Sequence, residues 1–277
     1  MKNILVPIEM HSAIESVLQT ALLLGRRFDS YIEGMLLGPD LPDLIGFDMP
    51  LGWTTRDLET LKESADEAHR RFETFMTGNA IPAHVEGSHH LSYGLAGDRP
   101  SGDSQVASYA RVFDVTVLGR PGNERGNPRL ATAEAALFES GRPVLLAPPE
   151  PPKSLGETIV IAWNQAMESA RTTAFAMPLL AQAKKVFILT IAAHNVEGPA
   201  AEQLALMLAA HGIPVDVVHR LGKKRAAGHA YLEDAASLGC DLMIKGAYTQ
   251  SRLRQIFFGG ATAHILTKAP MPVLMAN

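Results

Sequence analysis

Apolar residues fall along the chain in two kinds of run. Short unbroken stretches such as Ile4-Leu5-Val6-Pro7-Ile8 read as strands buried on both faces. Between them apolar residues recur at helical spacing, as in Ile14, Val17, Leu18, Ala21 and Leu22. Ser12 is the expected cap of that first helix, with Glu15 at the capping-box position. A second strand over 30–37 completes a strand–helix–strand unit, whose strands must be parallel. The pattern continues with helix 56–78, strand 83–87, helix 104–111, strand 113–118 ending at Gly119, helix 131–140 and strand 143–147. The segment 38–55 interrupts it. This is a Pro-, Gly- and Asp-rich loop bearing Leu44, Ile45, Phe47, Met49, Leu51 and Trp53, and it reads as a cover over its own sheet edge, a lid or an interface.

The stretch 148–154, PPEPPKS, reads as a linker. Beyond it the pattern repeats with a period of about 150 residues. Strands are expected over 158–162, 185–192, 215–219, 241–245 and 272–276, and helices over 167–183, 200–211, 226–238 and 261–268. Landmarks repeat too: Val6-Pro7-Ile8-Glu9 against Ile161-Ala162-Trp163-Asn164, and Arg142-Pro143-Val144-Leu145 against Met271-Pro272-Val273-Leu274. The expected fold is α/β: two tandem doubly wound five-stranded parallel sheets, strand order 3-2-1-4-5, with helices on both faces. The domains are 1–147 and 157–277, joined by a linker over 148–156. Ligands of such sheets bind beyond the strand ends at the switch point, here between strands one and four. Each half would end in a short edge strand, 143–147 or 272–276. Exposed edges invite pairing, so the two are expected to lie antiparallel in an intramolecular pseudo-dimer. A homodimer of whole chains is also open.

Composition narrows the function. With 47% hydrophobic and 19% charged residues the chain has an ordinary globular balance. Its one cysteine, Cys240, lies among apolar neighbours and reads as a buried structural thiol. Strand residues begin at Asn3, leaving no room for a signal peptide, and no apolar run approaches the ~20 residues of a membrane helix. The expectation is a cytoplasmic protein with no membrane partner. No basic stripe interleaved with aromatics suggests nucleic acid. His89 and His90 are adjacent and have no partners at metal spacing. The net charge of −4 is unevenly spread: residues 151–277 hold 12 Lys+Arg and 8 Asp+Glu, a balance of +4, which leaves −8 for residues 1–150. The basic half suits an anionic ligand, although opposite charges also help two halves attract.

The candidate chemistry lies in that basic half. A strand ends at Gly246 and a polar loop carries Thr249, Arg252 and Arg254. Gly259, Gly260 and a helix starting at Ala261 follow. Strand, glycine, basic loop, glycine pair and helix start is an order suited to anions, because backbone N–H groups and a helix N-terminus can face an oxyanion.

The spacing Gly246-x-x-Thr249, nine residues, then Gly259-Gly260 resembles the nucleotide loop of the universal stress proteins, as does the ending Ala269-Pro270-Met271-Pro272-Val273-Leu274. The family pattern has glycine where Thr249 stands and Ser or Thr where Gly260 stands. In the first half Gly119 and Gly122 match the first two glycines, while Thr132 and Ala133 fall at the third position and its successor. The resemblance implies a non-enzymatic binding or regulatory module for stress response that holds ATP or a related adenine nucleotide, with or without Mg2+, in the second half. Trp163 and Asn164 would lie beside Gly246, with Asn164 in the place of the acidic residue that meets the adenosine. Glu9 holds that place in the first half. Two alternatives stay open: a slow ATPase, and domains that have exchanged nucleotide for a small, more apolar ligand.

Overall fold

The computed structural model describes residues 1–38, 55–97, 100–122, 126–221, 226–247 and 261–277. Ten strands form one continuous sheet in the order β3-β2-β1-β4-β5-β10-β9-β6-β7-β8. In the first half β1 (Asn3–Ile8), β2 (Tyr31–Leu36), β3 (Ser92–Leu95), β4 (Val115–Gly119) and β5 (Val144–Ala147) are all parallel. The second half repeats that order with β6 (Thr158–Ala162), β7 (Lys185–Ile191), β8 (Asp216–Arg220), β9 (Leu242–Gly246) and β10 (Val273–Ala276). Each half therefore has the expected order. The two sheets are not separate, however: β5 and β10 pair antiparallel, Val273 with Leu146 and Met275 with Val144. Both edge strands thereby satisfy their free backbone groups, the problem an open edge poses.

Helices cover both faces. On one lie α1 (Ile14–Phe28), α2 (Thr55–Gly78), α5 (Met167–Leu180) and α6 (Ala201–Ala210). Their apolar stripes join Ile4, Val6, Leu145, Leu274, Ile244 and Ile159 in a core that runs through both halves. On the other, α4 (Leu130–Glu139), α7 (Ala227–Ser237) and α8 (Ala261–Lys268) pack on Val144, Leu146, Val273, Met243 and Val160. A smaller cluster under α3 (Asp103–Tyr109) joins Leu5, Met35 and Val106. Alternate residues of β5 and β10 thus feed opposite cores, as the period-two geometry of strands requires. The segment after β5 is tied down: Ser16 donates to the Pro148 carbonyl at 2.6 Å, and Arg27 to the Leu155 carbonyl at 2.9 Å and the Gln182 carbonyl at 2.6 Å.

Two local expectations are corrected. The third strand is Ser92–Leu95. The expected stretch 83–87 is solvent-exposed, and only Ala83 bridges the sheet, to Tyr93. Ser12 does not cap α1: the cap position is Ala13, and the Ser12 hydroxyl instead donates to Asn127 Oδ1 at 3.1 Å. Thr132 and Ala133 lie within α4, Leu130–Glu139, close to the helix expected over 131–140. The apolar segment 39–54, including Trp53, lies outside the described residues.

Candidate functional site

The switch point of the second half lies where β6 and β9 run side by side. Ala162 pairs with Lys245, which brings Trp163, the first residue past β6, beside Gly246, the last residue of β9. Gly246 is buried, and a Cβ there would meet the Ser169 backbone nitrogen at 2.5 Å and the Glu168 carbonyl carbon at 2.6 Å. The glycine lets the first turn of α5 close onto the strand end, a packing role the loop pattern alone does not reveal.

Trp163 and Asn164 are also set by the chain itself. Trp163 is 2% exposed, part of the apolar core, and its indole N–H donates to the Pro199 carbonyl at 3.0 Å. Its body is packing material, and stacking on a ligand is not its geometry. Asn164 is 7% exposed. Its Oδ1 accepts from the Ser169 hydroxyl and from the Ala166 N–H at 3.4 Å, and its carbonyl accepts from Val196 N–H at 3.1 Å. An Asn oxygen turned to nearby donors is the usual device for holding a turn into a helix. Gln165, next in the chain, takes φ +71°, in the left-handed region. The strand-one end is therefore a shaped, locked turn. Ala261 begins α8, while Thr249, Arg252, Arg254, Gly259 and Gly260 lie outside the described residues.

Sequence reasoning passed over Lys245. It is 3% exposed, and its ammonium donates to the Gly246 carbonyl at 2.8 Å. Burial pushes its pKa from 10.5 down to about 8, with Glu168 pulling the other way. The position before the strand-end glycine is Leu118 in the first half, buried in the core that covers the same sheet face. A charge inside a run of apolar strand residues was the available signal.

The first half is built differently at the same place. Arg129, the residue before α4, forms ion pairs with Glu9 and Asp103, each at 3.2 Å, and donates to the Gly38 carbonyl at 2.9 Å. The Thr132 hydroxyl donates to Asp103 Oδ1 at 2.5 Å. Burial raises the Glu9 pKa above 4.5, and Arg129 holds it back. One guanidinium thus joins the ends of β1 and β2 to the start of α3 and fills the switch point. In the second half the residue before the last helix is Gly260, which has no side chain to do so. His11, just beyond, is half-buried and neutral, desolvation lowering its pKa to about 4, and its Nδ1 accepts from Ala13 N–H at 3.1 Å.

Among the described residues no cluster of His, Cys, Asp and Glu is arranged to hold a metal, and no helix is long and apolar enough to cross a membrane. Cys240 is part-buried, and burial raises its pKa to about 12, the state of an inert thiol.

Residues 162–277 match the family model of the universal stress protein family. No curated protein matches the chain. Among solved structures, a universal stress protein from Archaeoglobus fulgidus DSM 4304 superposes with a TM-score of 0.73 at 14% identity, over 99% of this chain and 96% of that one. A functionally unknown protein from Pseudomonas aeruginosa PAO1 gives a TM-score of 0.56 at 13% identity, over 100% and 92%. At these identities the likeness is one of fold.

Proposed function

Since residues 162–277 match the universal stress protein family, we propose that this chain binds one adenine nucleotide, ATP or a close relative, at the switch point of its second half. The observation that carries this reading is the extent of the match. It begins at Ala162, the last residue of β6, and so takes in the strand-one end, Gly246 and the whole segment up to the α8 start. Its residues would act as a frame. Gly246 and Asn164 fix the two strand ends, the α8 start presents N–H groups, and Arg252 and Arg254 supply charge to phosphate. The output is binding that biases conformation or partner choice.

The restriction to one site rests on charge and space. In the first half Arg129 fills the equivalent position and Glu9 and Asp103 border it. Two carboxylates against one guanidinium leave one excess negative charge, and such a charge about 6 Å from a phosphate would cost about 3 kcal/mol at an effective dielectric near 20, roughly a hundredfold in affinity. Titration calorimetry with ATP, with and without Mg2+, tests the reading. The expected result is a stoichiometry near one, abolished by Gly259→Val and retained in Arg129→Met. Two equal sites, or binding indifferent to Gly259→Val, would sink it.

A further inference from the structure

The sheet has two outer strands, and the chain treats them differently. The segment before β3 lies along it as a partner: Tyr93 N–H donates to the Pro82 carbonyl at 3.0 Å, and His84 N–H to the Tyr93 carbonyl at 2.8 Å. β8 ends the sheet at the other side, with Asp216, His219 and Arg220 exposed. An outer strand is a template for another chain. β5 and β10 are already joined to each other, so a second chain has to meet this one elsewhere.

Charges on an edge usually keep other strands away. Those of β8 match a copy of itself. Asp216, Val218 and Arg220 share the sheet face that α7 covers: Val218 packs into that core, and Arg220 Nε donates to Asp234 of α7 at 3.3 Å. In an antiparallel pair centred on Val218, Asp216 stands opposite Arg220 of the other copy, and symmetry repeats the pair. Asp216 is held loosely in its own chain, 4.0 Å from Lys185 with 68% of its side chain exposed. The Arg220 fork has N–H groups enough for two carboxylates. A register shifted by one residue loses the match.

The opposite face supplies apolar surface. α6 packs on both β7 and β8, and its Glu202 meets His219 of β8 at 2.8 Å. Leu206 stands one turn on from Glu202 along the same stripe and is 72% exposed. A two-fold axis through the Val218 pair, perpendicular to the sheet, sets α6 two strand spacings from its copy, about 10 Å, the distance of packed helices.

We infer that β8 pairs antiparallel with β8 of a second copy of this chain, Val218 against Val218, with the two α6 helices packed over the joint through Leu206. The two ten-stranded sheets then run on as one.

Sedimentation velocity of the full chain across a concentration series tests this. The expected result is a reversible dimer with a dissociation constant on the order of 10 μM. Asp216→Lys and Leu206→Glu are each expected to weaken it about tenfold or more, because every change acts twice across the axis, while both variants melt much as the unaltered chain does. Adding Arg220→Glu to Asp216→Lys should restore the affinity to within a few-fold. With oxidised glutathione, Val218→Cys should give a disulfide-linked dimer, since directly opposed Cα atoms lie about 5 Å apart, whereas Val217→Cys, opposite His219 of the other copy, should not. A chain that stays monomeric overturns the inference, whatever other strand its edge accepts. So does a dimer indifferent to Asp216→Lys and Leu206→Glu, or one linked through position 217 and not 218. If Arg220→Glu disturbs the fold beside Asp234, the Val218→Cys and Val217→Cys pair decides the register.

Discussion

Replacing Lys245 by methionine should stabilise the protein. The side chain lies 3% exposed on the sheet, one residue before Gly246, and its ammonium has the Gly246 carbonyl as acceptor. Its pKa falls from 10.5 to about 8 on folding. That difference, 10.5 − 8, at about 1.4 kcal/mol per pH unit, means that keeping the buried group charged costs about 3 kcal/mol. Methionine has similar length, removes the charge and forfeits one hydrogen bond worth about 1 kcal/mol. The net gain at pH 7 is about 2 kcal/mol. The sign with pH follows from linkage. Between 8 and 10.5 the unfolded chain holds the lysine proton and the folded chain does not, so stability contributed by this group rises with pH. The advantage of the variant should therefore be full at pH 7 and vanish by pH 10. Cys240 and Tyr31, both with pKa raised to about 12, push stability the other way in this window, but they are common to both proteins and cancel in the difference. Urea unfolding of both proteins at pH 7 and pH 10 gives the answer. A variant less stable at pH 7, or a gap that does not change with pH, refutes the reasoning.

Three further outcomes are expected. Val273→Asp places a carboxylate at a site with no exposure between Leu146 and Met243, and should lower stability by more than about 3 kcal/mol in urea unfolding; an unmoved midpoint would mean that the seam does not hold the halves together. Gly246→Ala drives a Cβ into the backbone of Ser169 and Glu168 and should cost about 2 kcal/mol, whereas Gly78→Ala, with nothing within 4 Å, should leave the melting temperature unchanged or slightly higher. Arg129→Met strips Glu9 and Asp103 of their cation and should cost about 2 kcal/mol at pH 7. Because the folded Glu9 pKa lies above 4.5 and would climb further, that loss should shrink as pH falls from 7 towards 5, and a loss independent of pH would exclude Glu9 as its source.

The strands and helices that bury continuous or periodic apolar faces were legible in the sequence, since burial itself writes that pattern. The third strand was not. Ser92-Tyr93-Gly94-Leu95 holds few apolar residues, and Gly94 is there because Tyr31 packs on it: a Cβ would meet the Tyr31 hydroxyl at 2.4 Å. Ser12 looked like a cap because capping is judged from neighbours in sequence, whereas its partner, Asn127, arrives from the loop after β4. The same holds at the candidate site. The glycine spacing marked the loop, but only the folded chain shows that Gly246 makes room for α5, that the Trp163 ring is held by Pro199, and that Arg129 bridges Glu9 and Asp103. Such pairings depend on which strand ends the topology brings together, and no local pattern records that.

The antiparallel joint between β5 and β10 has a consequence for how the two halves can change. Where two identical chains meet across such an edge, every substitution appears in both copies, and a residue that closes one switch point closes the other. Here both halves lie in one chain, with the joint sealed by Val273 against Leu146. Arg129 could therefore enter one half while Gly260 stayed in the other. One half is free to become a rigid support and the other to respond, a division of labour that symmetry denies to a pair of equal subunits.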